Sequence, residues 1–239
     1  MGLGKLWKKV KNTVKKIVRV VKEVVHRILG VIDFIASLLG LLATKYIRVK
    51  VYILTDLKRR PVQDVAVVEQ WVAETKKILK DRFKVVMQAP DVRAGQGIVA
   101  TIEEPAPAEA LFPGCGFADA FSDAADYYED HYDYVHTSSW NYIFDSLGYG
   151  EPVYGFVVAE IAKGDKDGCS QPLLHNFVLV DRSPKTSTLA HEIGHTCGLS
   201  HKGKAHNLMN PERNDMDSDV TRWQIAVFRN SRYVTLFRP

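Results

Sequence analysis

Cysteine is scarce in this chain of 239 residues: Cys115, Cys169 and Cys197 are all it has, and none forms a CxxC pair. That excludes a small domain stapled by several disulfides. One bridge, Cys115 to Cys169, is compatible with the count, and the redox compartment stays open. Internal repeats and low-complexity runs are absent, which excludes a solenoid or a tandem array. A charge-free apolar run long enough to cross a bilayer is also missing. The nearest approach is 28–44, 17 residues interrupted by Asp33, at the short limit for a span and carrying a charge that hydrocarbon would penalise. The charged stretch before it runs to 27 residues, too long for the basic region of a cleaved signal peptide.

What is present is ordinary for a globular protein: 46% apolar and 25% charged residues, enough to bury a core in a chain of this length. The net charge of +4 hides an asymmetry. Residues 1–27 hold nine Lys/Arg against Glu23 alone, so that stretch is +8 and the remainder −4. A basic tail on a mildly acidic body points to a membrane surface or another polyanion.

Within 1–28 the apolar residues Leu3, Leu6, Trp7, Val10, Val14, Ile17, Val18, Val21, Val24, Val25 and Ile28 recur in steps of three and four. That places them on one face of a helix with most lysines opposite. Valine is a weak helix former, so this helix needs a surface to form on. From Tyr46 the pattern changes. Alternation predicts strands at 46–55, 84–87, 98–102, 132–136, 153–161 and 176–181. Helical periodicity predicts helices at 62–83, 188–197 and 219–230, the second capped by Thr186 or Ser187. The Pro-, Gly- and Asp-rich stretch 105–130 reads as irregular.

The decisive stretch is His191-Glu192-Ile193-Gly194-His195-Thr196-Cys197-Gly198-Leu199-Ser200-His201. Histidines four apart project from one helix face and can share one metal ion. Glu192, beside the first, can reach a water there without being a ligand. Gly198 can take the left-handed turn that ends a helix and returns the chain, so that His201 reaches the same ion. Three imidazoles with one position open is the donor set of catalytic zinc, whereas structural zinc normally has four closed ligands. Five fixed positions in this pattern arise by chance in on the order of one in 10⁴–10⁵ sequences of such composition. Cys197, about 200° round the helix from His195, faces away and packs.

These residues spell HExxHxxGxxH, and through that motif the chain resembles the metzincin metalloproteases. Asn207-Leu208-Met209-Asn210-Pro211 is similar to the Met-turn of that group, which would put Met209 beneath the histidines as a floor without chemistry. The resemblance implies an α/β (α+β) catalytic domain over 46–239, with a mixed twisted sheet, an active-site helix and a C-terminal helix. It implies one catalytic Zn²⁺ on His191, His195 and His201, with Glu192 as general base in peptide hydrolysis. A protein or peptide substrate would lie along an antiparallel edge strand, for which 153–161 is the candidate. Pro211 stands where several metzincin families have a tyrosine, so the transition-state donor is unassigned and no subfamily is fixed.

Other signals are plainer. The acidic run Asp119–Asp133 shows no calcium-loop pattern and reads as a solvated loop. Gly164–Gly168 reads as a polar turn, and His131, His136, His175 and His206 lack partner spacing. For 1–45, an amphipathic and apolar helical segment, three readings stand: attachment to an anionic membrane or protein partner, packing on the body, or inhibition with Asp33 reaching the zinc. Nucleic acid is not expected as a partner, since a continuous apolar face needs burial. Removal of 1–45 is expected to leave a folded zinc-binding domain. The whole reads as a zinc endopeptidase, membrane-associated or exported without a cleaved signal; the alternative is a membrane-active or assembly-docking effector with the protease as payload. A pure binding protein would have no use for Glu192.

Overall fold

The computed structural model describes residues 21, 30–90, 97–115, 124, 127–128, 150–161, 166–170, 176–214 and 217–236. The strand expected at 132–136, nearly all of the acidic run, and His131, His136 and His175 lie outside them. The architecture is mixed α/β, as the periodicities require: a twisted mixed sheet with helices packed on it.

The organising strand is β1 (Lys45–Thr55), long enough at 11 residues to serve two pairs of neighbours. Its first half lies parallel to β2 (Val85–Gln88) and antiparallel to the short β7 (Val234–Thr235). Its second half is flanked by β3 (Val99–Pro105) and β4 (Val153–Val158), both parallel. Beyond β4 lie β6 (Phe177–Asp181), parallel, and then β5 (Gly168–Ser170), antiparallel to β6.

Period-two alternation sorts the strand residues into two cores. Ile47, Val49, Val51, Ile53, Val153, Val157, Val178 and Val180 face one side. There they meet α2 (Val65–Phe83) through Val68, Trp71, Val72 and Leu79, and α4 (Thr188–Thr196) through Leu189, Ala190 and Ile193. Leu54, Tyr154, Phe156, Val158, Phe177 and Leu179 face the other side, packed on α3 (Ala108–Leu111) and on Tyr128. With both faces covered, β4 and β6 are nearly continuous apolar runs, the pattern of buried parallel strands.

The helices end where their capping groups say. Asp64, rather than the expected Val62, begins α2, because its carboxylate accepts the Ala66 N–H at 2.7 Å. Lys84 closes it in the left-handed conformation. The closing helix α5 (Arg222–Arg229) starts three residues later than expected, at a capping box of Thr221 and Gln224.

Residues 31–44 pack on the body. Helix α1 (Val31–Leu38) lies against α5, with Phe34 edge-on to Trp223 at 5.3 Å. Arg229 is fully buried between them. Its guanidinium donates to Ser37 Oγ at 3.1 Å and to the carbonyls of Ala43 at 2.8 Å and Phe83 at 2.9 Å. Contacts therefore cross the boundary drawn at 45/46. The backbone of Asp33 belongs to α1, but its side chain lies outside what is described, and so does most of 1–29. No described helix is long and apolar enough to cross a membrane.

Candidate metal centre

Helix α4 begins at Thr188 after Ser187 and ends at Thr196. Gly198 follows at φ +90°, in the left-handed region, and there the chain reverses. His191 and His195 project from one face of α4, and His201 returns from the loop beyond Gly198. Their ligating nitrogens all lie within 4.8 Å of one another, so the three side chains can hold one metal ion.

Two carbonyls fix the rings. His191 Nδ1–H donates to Leu208 O at 2.7 Å, and His195 Nδ1–H to Leu199 O at 2.7 Å. Each neutral imidazole then carries its lone pair on Nε2, and those atoms stand 3.1 Å apart. Two converging lone pairs repel unless a cation lies between them. Tetrahedral zinc with ordinary imidazole bonds sets its nitrogens about 3.3 Å apart, so the spacing fits that ion. Burial, helped by the nearby Arg213 cation, lowers the His191 pKa to about 3. Burial lowers His195 to about 4 and depresses the more exposed His201 as well. His191 and His195 are thus neutral at pH 7, the state in which an imidazole can bind a metal.

The chain that carries the Leu208 carbonyl is held by a turn at 205–209. Asn207 and Gln224 exchange reciprocal amide hydrogen bonds at 3.0 Å, tying the turn to α5. The same Asn207 oxygen accepts the Met209 N–H at 3.0 Å. This places the Leu208 carbonyl on His191 and buries Met209 against Gly194, whose Cβ, if it had one, would lie 2.7 Å from the Met209 sulfur. His206, left without a role by the sequence, bonds Asp217 at 2.9 Å. Cys197 is buried in the core.

Glu192 stands in the wall of the same cleft, a cavity of about 590 Å³ that also holds the three histidines. Burial raises its pKa to about 7, opposed by a hydrogen bond from the Ser170 side chain. Strand β5 supplies that serine, and here two expectations need correction. Among the described strands, the cleft-lining antiparallel one at the sheet edge is β5, not 153–161: β4 is buried along its whole length between β1 and β6. Gly168, expected in a polar turn, is the first residue of that strand. A Cβ there would lie 2.7 Å from both Cγ and Oε1 of Glu192, and only a glycine lets the strand pass so close. A disulfide between Cys115 and Cys169, with Cα atoms 6.1 Å apart, ties β5 to the segment after α3.

Sequence reasoning also missed Arg213. It is buried in the cleft wall and donates to Ser187 Oγ at 3.1 Å and Thr188 Oγ1 at 2.8 Å, clamping the start of α4. Neither Ser170 nor Arg213 belongs to any motif spacing.

Gly168→Ala should press its methyl on the Glu192 carboxylate while leaving the histidines in place. Zinc content should stay unchanged and peptide hydrolysis fall by about tenfold or more, as expected when a catalytic group is misplaced by an ångström. Parallel metal analysis and peptide assays check this; full activity would mean that Glu192 does not work from this position.

No family model and no curated protein matches the sequence. Among solved structures, the chain is similar to metalloproteinase-II from Bacteroides fragilis at 13% identity and a TM-score of 0.48, over 80% of this chain and 55% of that one. It is also similar to a protein in a chaperone–substrate complex, at 12% identity and 0.44, over 80% of this chain and 34% of that one. A third is a zinc-dependent peptidase from Methanocorpusculum labreanum, at 14% identity and 0.36, over 77% of this chain and 94% of that one.

Proposed function

We propose that the chain is a zinc-dependent endopeptidase of metzincin type, with Met209 in the role of the Met-turn methionine. The observation that carries the reading is the convergence of the His191 and His195 Nε2 lone pairs, with His201 closing the triad, beside a buried carboxylate in an open cleft. A zinc ion held by those three histidines would supply Lewis acidity, polarising a peptide carbonyl and acidifying a water.

Everything else is the work of the chain's own groups. Glu192, its pKa raised by burial to about 7, is available as a carboxylate near neutrality to take a proton from the attacking water, and the acid so formed returns it to the leaving amine. Ser170 orients that carboxylate and Gly168 lets it lie under the strand. The side of β5 away from β6, which pairs with no strand among the described residues, offers backbone groups along which an extended peptide can add as a further strand. Met209 packs against Gly194 of α4, while the Leu208 and Leu199 carbonyls set the ring orientations.

The basic stretch 1–27 is read as the part that attaches this enzyme to a surface. The second reading, an effector docked into a larger assembly by that stretch, would carry the same enzyme as payload. The experiment is a casein digest by the purified full chain. Cleavage that stops with a zinc chelator and returns with added zinc is expected; cleavage indifferent to both would remove the metal from the reading.

A further inference from the structure

Among the described residues ten large apolar side chains are exposed, and five of them belong to α1, the turn after it and the start of α5: Val31, Ile35, Leu39, Leu41 and Trp223. Val31, Ile35 and Leu39 follow one another at four-residue steps, so they form a line along α1 and just past its end. Trp223, 61% exposed, stands beside that line through its edge contact with Phe34. The opposite side of α1 is occupied by α5, where Ser37 binds Arg229. A helix that buries one side on the body and leaves isoleucine, leucine and tryptophan outside presents a face for a partner.

We infer that this face, made by α1 and Trp223 of the folded body, lies on an anionic lipid surface. The inference is independent of the reading of the metal centre. Charge argues for the occupant. The chain directly before α1 carries +8 over residues 1–27, next to an apolar face rimmed by the exposed Arg222. Apolar side chains bordered by cations suit the boundary between acyl chains and acidic headgroups. A tryptophan at the edge suits the same depth, with its ring in the apolar layer and its N–H among the headgroups. A second copy is a worse occupant, because pairing two such faces would bring two +8 segments together. Because α1 buries its other side on α5, the mode inferred is lying on the membrane with the folded body.

The test is sedimentation of the full chain with phosphatidylcholine vesicles, with and without phosphatidylglycerol, at low and high salt. The native chain should bind only the anionic vesicles and release with salt. The variant Ile35→Ser/Leu39→Ser/Trp223→Ser should bind them about tenfold more weakly or worse, since apolar insertion is lost while the charge is kept. Quenching of tryptophan emission by brominated lipid gives a readout independent of that variant's folding: the native chain should show a quenched component that Trp223→Phe lacks. Equal vesicle binding by native and triple-serine chains, or quenching unchanged in Trp223→Phe, would overturn the inference and leave 1–27 as the sole attachment. So would absence of binding to anionic vesicles, or a native dimer that the serine variant makes monomeric, which would assign the face to a second copy.

Discussion

Glu192→Gln is expected to keep a full complement of zinc and to lose peptide hydrolysis by about 10²–10⁴, the range for removal of a general acid–base. The amide has nearly the shape of the carboxylate, so it fits under Gly168 and beside Ser170 without displacing β5. It cannot accept the proton of the attacking water. Because Glu192 is only 5% exposed, Glu192→Ala would also leave a hole, and Gln is the cleaner probe. Initial rates on a fluorogenic peptide with metal analysis of the same sample decide it. Undiminished rates in a zinc-loaded Gln variant would move the base to another residue.

The second large effect concerns the N-terminal region and sets two truncations against each other. A chain starting at residue 30 keeps α1, Ser37 and Ala43, and should melt within a few degrees of the full chain. One starting at residue 46 removes two acceptors from the Arg229 guanidinium and uncovers the side of α5 on which Phe34 packs. Hydrogen bonds to a charged group and the lost apolar cover together contribute about 2–4 kcal/mol. For a domain of this size that is a fall in melting temperature on the order of 10 °C. This expectation departs from the one drawn on the sequence, where the body was expected to fold unaided from residue 46. Equal melting of the two truncations would restore that boundary.

The contrast shows what kind of information the sequence carries. The centre's helix was legible because four-residue spacing of histidines and Gly198 are local signals, and α4 lies where they put it; the expected hydroxyl cap is not made, since Ser187 stands at the N-cap position but its Oγ accepts from Arg213 instead. The sheet's double burial was written in the sequence but not read from it. Val-Tyr-Gly-Phe-Val-Val is a continuous apolar run, the mark of a covered parallel strand, and that is why the edge position expected for 153–161 fails. The true edge strand, Gly-Cys-Ser, is three residues without alternation, and only pairing with β6 makes it a strand. Ser170 and Arg213 reach the cleft through tertiary contacts with Glu192 and with Ser187 and Thr188, and no spacing encodes those. For residues 28–44, packing on the body stood as one of three readings, and the sequence could not single it out, since the partner that α1 covers, Arg229, lies at the far end of the chain.

The central claim is that one zinc ion sits on His191, His195 and His201. The direct measurement is zinc content by mass spectrometry after dialysis, on the native chain and on His191→Ala/His195→Ala/His201→Ala, each checked for folding by circular dichroism. The account predicts one zinc per native chain and none on the folded triple variant. Stoichiometric zinc on that variant, or a zinc-loaded native chain that retains none through dialysis, would contradict it.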